Sequence, residues 1–427
     1  MKHKIPIEDI GPLANEMAEA VSKCVHCGFC LPACPTYNVL HQEMDSPRGR
    51  IILMKSVLED EIGLEEAIPY LDHCLVCLGC ETACPSGVAY GKLITPFRFY
   101  AESLRKRSVD ERFSRWLTKE TLPYPDRCRT VTQVGKIAKP ISSGLPGRYK
   151  AMLGLIPEDL PGKQSLPAFS PVEGERKARV ALHTGCVQQV LAQEINLATI
   201  RVLVRNGVEV VIPSRQICCG ALALHTGDYE TSKDLATQNI EAFPPEVDAI
   251  ISNAAGCGSA MHEYPLLFQG GEGEVSANSF SEKVVDISVF LNQIGIQPIP
   301  PLQNPLKIAY HDACHLAHAQ GVVAEPRNLL SNITGITILP IQEGDLCCGS
   351  AGSYNIEQPV IADQLGRRKI NHILATGADV VVAGNIGCLI QIKKHLIDQN
   401  KENGNPLNNI PVFHTIELID LAYRGKL

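Results

Sequence analysis

Residues 24–35 read CVHCGFCLPACP and residues 74–85 read CLVCLGCETACP. One spacing, Cys-x2-Cys-x2-Cys-x3-Cys-Pro, is therefore written twice in the first hundred residues of the chain. Two-residue spacings wrap a short loop around a compact centre, so three thiols of each run converge on one point while backbone N–H groups turn towards the sulfurs. The fourth cysteine of each run lies too far round the turn to reach the same point. The proline after it, Pro35 or Pro85, cannot extend a helix there and directs the chain away.

The rest of the chain sets the context for these runs. Its 427 residues are too many for a single compact core, so two or three domains are expected, and 45% apolar residues can fill them. The longest apolar runs, such as DVVVAGNIGCLI at 379–390, stop well short of the roughly 18 to 20 residues that a membrane-spanning helix needs. The opening MKHKIPIEDIGPLANEM reaches acidic residues without an apolar segment and does not read as a secretory signal. A cytoplasmic protein is expected. Seventeen cysteines in a reducing compartment point to metal ligation rather than disulfides. A formal charge of −7 argues against nucleic acid as a partner, which would call for a basic stripe.

The doubled run fits the ligand spacing of two-cluster bacterial ferredoxins, in which the fourth cysteine of each run serves the other cluster. Two [4Fe–4S] clusters are expected on this spacing. The first takes Cys24, Cys27, Cys30 and Cys84, and the second Cys74, Cys77, Cys80 and Cys34. The alternative is a scaffold with a pair of structural zinc sites, but zinc needs two pairs of cysteines and has no use for three consecutive cysteine steps closed by Cys-Pro, twice. Two clusters in one small module imply electron transfer, because one structural site would have sufficed to hold the fold.

Residues 1–123 carry few strand signals. Between the runs, Ser46 reads as an N-cap and Pro47 as the first helical residue of a segment with apolar positions at helical spacing. Residues 124–176 are rich in Pro, Gly and Ser and read as a connector with short helices. Beyond them β-rich runs alternate with helical ones, ARVALHTG, VEVVIP and DAIISNAAG in residues 177–300 and LKIAYHDA, ITILPI and ADVVVAGNIG in residues 301–427. Alternation of this kind predicts parallel α/β units. The fold class expected is thus an α+β multidomain protein, a helical two-cluster domain followed by two duplicated α/β domains.

Cysteines fix the register of the duplication. Cys186, Cys218, Cys219 and Cys257 correspond to Cys314, Cys347, Cys348 and Cys388 at offsets of 128, 129, 129 and 131 residues. Both copies read Cys-Cys-Gly after a strand-like segment and place Gly directly before the last cysteine. These eight are candidate ligands for one or two further iron–sulfur clusters. Cys186 should sit where a strand gives way to a helix, so that the helix N-terminus favours its thiolate. Ligands of open α/β sheets collect at that edge. His183, His225, His311, His315 and His318 fall close to the quartets and read as residues that tune a cluster or move protons rather than as ligands. Cys128 stands alone in the connector and reads as structural.

The strings CVHCGFCLPACPTYNVL, SPRGRI, GCVQQVLAQEINLATIRVL, CCGALALHTGD, YHDACHLAHAQG, CCGSAGSYNI and GNIGCLIQI resemble the iron–sulfur subunit of glycolate oxidase (glycolate dehydrogenase) over nearly the whole chain. More broadly, the architecture resembles the iron–sulfur subunits of anaerobic glycerol-3-phosphate dehydrogenase and lactate utilisation systems. The two Cys-Cys-Gly units resemble the CCG domains of the heterodisulfide reductase B subunit. The fullest CCG pattern ends in Cys-x2-Cys, whereas Cys257 is followed by Gly258, Ser259 and Ala260, and Cys388 by Leu389, Ile390 and Gln391. One ligand of that pattern is missing from each copy, which leaves open a four-thiolate cluster, a cluster with a non-cysteine ligand, or an empty redox pocket.

No Gly-x-Gly-x-x-Gly segment follows a strand and no other flavin-binding stretch is evident. The resemblance accordingly implies flavin-binding glycolate oxidase subunits as partners and a quinone or other membrane acceptor for the electrons. The chain would be an oxidoreductase subunit with no substrate oxidation of its own. Residues 95–120 hold seven Lys/Arg against four Asp/Glu, interleaved with Phe97, Phe99, Tyr100, Phe113 and Trp116. That balance would suit a peripheral place at the inner face of the cell membrane. Packing of the aromatic residues against their own domain is the stronger expectation, with Trp116 mostly buried.

Overall fold

The computed structural model describes residues 1–11, 13–172, 174–403 and 410–427. Residues 1–123 form helices and, among the described residues, no strand. The helix Pro47–Leu58 starts as its sequence directs, with Ser46 Oγ accepting the Gly49 N–H at 3.0 Å and Pro47 in the first position. Together with Leu64–Asp72 it spans the distance between the two cysteine runs. The helices Ala14–Lys23 and Gly91–Leu104 pack alongside, and Met17, Val21, Met54, Leu93 and Phe97 are buried between them. Each such side chain contributes on the order of 2 kcal/mol on removal from water. Pro35 opens the short helix Pro35–Leu40 instead of ending one, since a missing N–H costs nothing in the first turn.

Two sheets follow. The first contains β1 (Phe169–Ser170), β2 (Ala178–His183), β3 (Val208–Val211), β4 (Ala249–Ser252) and β5 (Val284–Asp286) in the order β1-β3-β2-β4-β5. The second contains β6 (Leu306–His311), β7 (Ile336–Leu339), β8 (Val380–Ala383) and β9 (Val412–His414) in the order β7-β6-β8-β9. All pairings are parallel except that of β1 with β3. The repeated order is the duplication seen in the cysteine register. In each copy the chain leaves the central strand to one side and returns on the other, so a crevice opens beyond the carboxyl ends of β2 and β4, and of β6 and β8.

The copies are fused rather than merely adjacent. Val180, Leu182 and Ile251 of the first sheet share one core with Ile308, Val381 and Val382 of the second. The helix Glu194–Arg205 packs on Thr415–Tyr423, where Arg201 donates to both carboxylate oxygens of the buried Asp420 at 2.9 and 2.7 Å.

Two expectations need correction. The stretch read as a connector with short helices holds a 14-residue helix, Pro125–Ala138, and the helix Gly147–Gly154, and its far end supplies edge strand β1. Pro125 begins the long helix instead of breaking it. Trp116 is 56% exposed, not buried. It lies on the helix Val109–Thr121, whose apolar stripe finds no core to cover it, and it stacks on the equally exposed Phe113 at 5.8 Å between ring centroids. Two of the basic residues nearby are engaged within the chain, Arg105 with Asp72 at 2.8 Å and Arg107 with Glu102 at 2.6 Å.

Candidate iron–sulfur centres

The two runs adopt one backbone course. His26 and Gly28 in the first and Val76 and Leu78 in the second all have positive φ, between 53° and 85°. This left-handed conformation, costly for a β-branched residue such as Val76, turns the peptide units between cysteines inward. The Val76 N–H donates to Cys74 Sγ at 3.4 Å, and the Val88 N–H to Cys84 Sγ at 3.5 Å.

The thiols gather across the runs. Cys24, Cys27, Cys30 and Cys84 line one small cavity, which Cys80 lines as well. Cys34, written in the first run, lies beside Cys74, Cys77 and Cys80, and charge on these neighbours adds to burial in pushing the Cys77 and Cys80 thiols up. Burial likewise pushes Cys30 up to about 11. Against the second group sits Arg50, 1% exposed, with Nη1 donating to Cys34 Sγ at 3.7 Å. Its other donors are taken by Thr36 Oγ1, Asp45 Oδ1 and the Tyr70 carbonyl at 2.9, 3.3 and 2.7 Å.

The second run is clamped by both α/β copies. Arg98 donates to the Cys74 carbonyl at 2.7 Å and to the His225 carbonyl at 2.6 Å. His315 Nε2 meets the Val76 carbonyl at 2.9 Å, and Tyr354 donates to the His73 carbonyl at 2.9 Å. His225 and His315 stack at 5.0 Å with their planes 11° apart, and burial keeps both neutral by lowering their pKa values.

The cysteines of each copy come together at the carboxyl ends of the strands. Cys186 Sγ is 3.4 Å from Cys218 Sγ, and Cys219 bonds in turn to Cys218 and Cys257. Cys314 Sγ is 3.8 Å from Cys347 Sγ, and Cys348 bonds to Cys347 and Cys388. Both quartets face one cavity of about 250 Å³. Its roof is the stretch read as a connector, through Cys128, Val131, Met152 and Ile156. Nothing in the residue pattern of 124–176 marks that role. Cys128 is buried there, its thiol pushed up to about 11 by burial and by the nearby Cys186.

The expected aid from a helix N-terminus is small, because Gln188–Leu191 is a single turn and the residues after Cys314 form a five-residue π-helical turn, His315–Ala319. Contact with Cys218, and then burial, pushes Cys186 well above its ordinary value instead. Of the five histidines, His311 has a ring nitrogen within 4.8 Å of the Cys348 and Cys388 sulfurs, His183 binds the Ile217 carbonyl at 3.2 Å, and His318 reaches Thr82 of the second run at 3.0 Å. Thiols gathered in an apolar cavity gain little from one another. As thiolates on a thiophilic metal they would be satisfied, so the donor set fits iron–sulfur chemistry.

Comparison with known proteins agrees. The family described as "4Fe-4S dicluster domain" matches residues 20–88, and "Cysteine-rich domain" matches residues 180–262 and 308–393. The chain is thus an iron–sulfur protein that joins a dicluster module to a duplicated cysteine-rich unit and carries multiple clusters. The "Probable glycolate oxidase iron-sulfur subunit" of Bacillus subtilis is 37% identical over 413 residues, 90% of this chain and 92% of that protein. The "Glycolate oxidase iron-sulfur subunit" of Escherichia coli is 34% identical over 96% of both. "Lactate utilization protein A" of an Exiguobacterium species is 30% identical over 243 residues, 56% of this chain. The chain belongs to the family of glycolate oxidase iron–sulfur subunits. No helix among the described residues is long and apolar enough to cross a membrane.

Proposed function

We infer that the chain is the electron-transfer subunit of a flavin-dependent glycolate oxidase (glycolate dehydrogenase). Flavoprotein subunits oxidise glycolate to glyoxylate, and this chain carries the electrons towards a quinone or another membrane acceptor. The observation that carries this reading is similarity over 92% and 96% of the length of two relatives named as that subunit.

Cys24, Cys27, Cys30 and Cys84 would hold one [4Fe–4S] cluster, and Cys74, Cys77, Cys80 and Cys34 the other. Their grouping across the runs supports this crossed assignment. The quartets of Cys186, Cys218, Cys219 and Cys257, and of Cys314, Cys347, Cys348 and Cys388, would hold metal around the shared cavity. When bound, such clusters accept and release single electrons. The domains would divide near residues 123, 176 and 300.

The chain's residues give the path a direction. Cys27 is exposed, flanked by Val25 and Phe29 at 65% and 66% exposure, an apolar rim suited to a docking donor. The second group is more enclosed, and Cys77 lies near enough to Cys314 for their charges to interact. His315 holds Val76 against the second copy, and Arg98 holds Cys74 against the first. The exposed Phe113 and Trp116 support peripheral attachment at the inner face of the cell membrane.

The test is to purify the complex anaerobically through this chain, identify the co-purifying flavoproteins, and ask which 2-hydroxy acid bleaches the cluster absorption. Bleaching by glycolate supports the reading. Bleaching by lactate or glycerol 3-phosphate alone would move the substrate to that compound. A colourless, zinc-containing chain would remove electron transfer altogether.

A further inference from the structure

The two copies place one histidine identically and use it differently. His183 ends β2 three residues before Cys186, and His311 ends β6 three residues before Cys314. Both are buried, at 2% and 0% exposure. His183 is committed, since its Nε2 meets the Ile217 carbonyl at 3.2 Å. Neither ring nitrogen of His311 has a hydrogen-bond partner of sound geometry. Buried polar atoms are nearly always satisfied, so such an imidazole calls for an occupant that the protein atoms do not supply.

What surrounds His311 says what that occupant is. A His311 ring nitrogen, Cys348 Sγ and Cys388 Sγ all lie within 4.8 Å of one another, and all three residues are buried. Two thiolates and an imidazole form a donor set for zinc or iron. The sulfur of Cys388 is itself oriented, accepting from Asn385 Nδ2 at 3.4 Å, while Asn385 Oδ1 accepts the Gly256 N–H of the first copy at 3.3 Å. Outer hydrogen bonds of this kind hold metal ligands in place. Charge is balanced by Lys369, 4% exposed, whose ammonium interacts with Cys348 and Cys347 and is anchored on the Gly344 carbonyl.

We propose that the second pocket is a mixed thiolate–imidazole metal site in which His311 is a ligand beside Cys348 and Cys388, while the first pocket leaves its equivalent, His183, uncoordinated. This rests on the reading that the second quartet takes a metal. The two pockets are then chemically distinct although they arose by duplication.

The full-length chain, purified anaerobically with its partners, decides the matter in four variants: His311→Ala, His311→Cys, His183→Ala and Cys348→Ser. Iron, zinc and sulfide are counted per chain. Directly bound nitrogen is sought by pulsed EPR of the reduced protein and, where zinc is found, by absorption at the zinc edge. The expected result is a bound-nitrogen signal in the wild type that His183→Ala keeps and His311→Ala loses, with metal falling in His311→Ala and in Cys348→Ser. His311→Cys, which restores a donor, should keep the metal and still lose the nitrogen signal, and it serves if His311→Ala does not fold. A nitrogen signal unchanged by either His311 substitution, or no such signal in the wild type, overturns the proposal. Loss of metal in Cys348→Ser but not in His311→Ala overturns it while leaving the metal pocket standing. Unchanged metal in both removes the pocket reading as well.

Discussion

Arg50 is a fully buried cation against the thiols proposed to hold the second cluster, and replacing it should lower that cluster's reduction potential. Its Nη1 stands 3.7 Å from Cys34 Sγ. At an effective dielectric constant near 20, two unit charges at that separation attract by about 4.5 kcal/mol. An added electron spreads over the cluster and its sulfurs. If roughly a quarter of it resides near Cys34, the guanidinium stabilises the reduced state by about 1 kcal/mol. For a one-electron couple, where a tenfold change is 59 mV, that is about 45 mV.

Arg50→Met should therefore lower the second midpoint by about 45 mV and leave the first nearly unchanged, since the first group has its own surroundings. The substitution also strands Asp45, which Arg50 approaches at 3.3 Å and His73 at 2.8 Å. Breaking a buried pair from one side costs about 3–5 kcal/mol, so stability should fall too. Arg50→Met with Asp45→Asn removes the pair as a unit and should fold better, with a shift of roughly half the size because the two charges act on the cluster with opposite sign. The assay is a potentiometric titration followed by EPR, with iron content measured alongside. A second midpoint that stays within about 10 mV of the wild type at full iron content, or one that rises, would refute the electrostatic reasoning.

Crossed ligation predicts that Cys84→Ala alters the same EPR signal as Cys27→Ala, and a match to Cys77→Ala instead would assign Cys84 to the second cluster. His414 should make stability fall in acid. Burial lowers its pKa to about 4 from 6.5, and its Nδ1 accepts the Ile416 N–H, which requires the unprotonated ring. The folded state thus binds fewer protons than the unfolded one. Stability is complete above the unfolded value and is lost as pH falls through the folded one, by about 2 kcal/mol at pH 5. His414→Asn, which keeps a capping acceptor, should show a shallower decline in Tm from pH 7 to pH 5, and parallel curves would count against the assignment. At the membrane, Trp116→Ala with Phe113→Ala should reduce flotation with anionic vesicles, whereas equal flotation would place the attachment elsewhere.

The chemistry of the chain was more legible than its packing. Cysteine spacing is a local signal, and both runs and both quartets stood in plain view, as did Ser46 and Pro47 at their helix start and the apolar runs of β2, β4, β6 and β8. The three-residue strands β5 and β9 are too short for a period of two to register. Residues 124–176 misled because Pro and Gly mark where elements stop without saying how long the elements between them run, and Pro125 reads alike as a breaker and as a first helical residue. Trp116 misled for a related reason. A helical stripe of aromatic residues shows that a face is apolar, not that this chain provides its cover. His183 and His311 occupy matching positions in the duplicated pattern, and only tertiary structure separates a ring tied to a carbonyl from a ring left free beside two thiols.

That difference bears on how a duplicated unit can serve one direction of electron flow. Two identical pockets facing one cavity would be interchangeable, and nothing would favour passage from one to the other. The surroundings here are unequal. Residues beside the first cysteine of the second quartet reach the second run, through His315 to Val76 and His318 to Thr82, and the first copy answers with the backbone of His225 held by Arg98. The second quartet is therefore the nearer stage to the ferredoxin-type module, with Cys77 facing Cys314, and the first quartet lies across the shared cavity beneath the helix that carries Cys128. Placed next to the module, the second pocket would be the first of the two that an electron leaving the module reaches, and the lining of the shared cavity is mainly apolar.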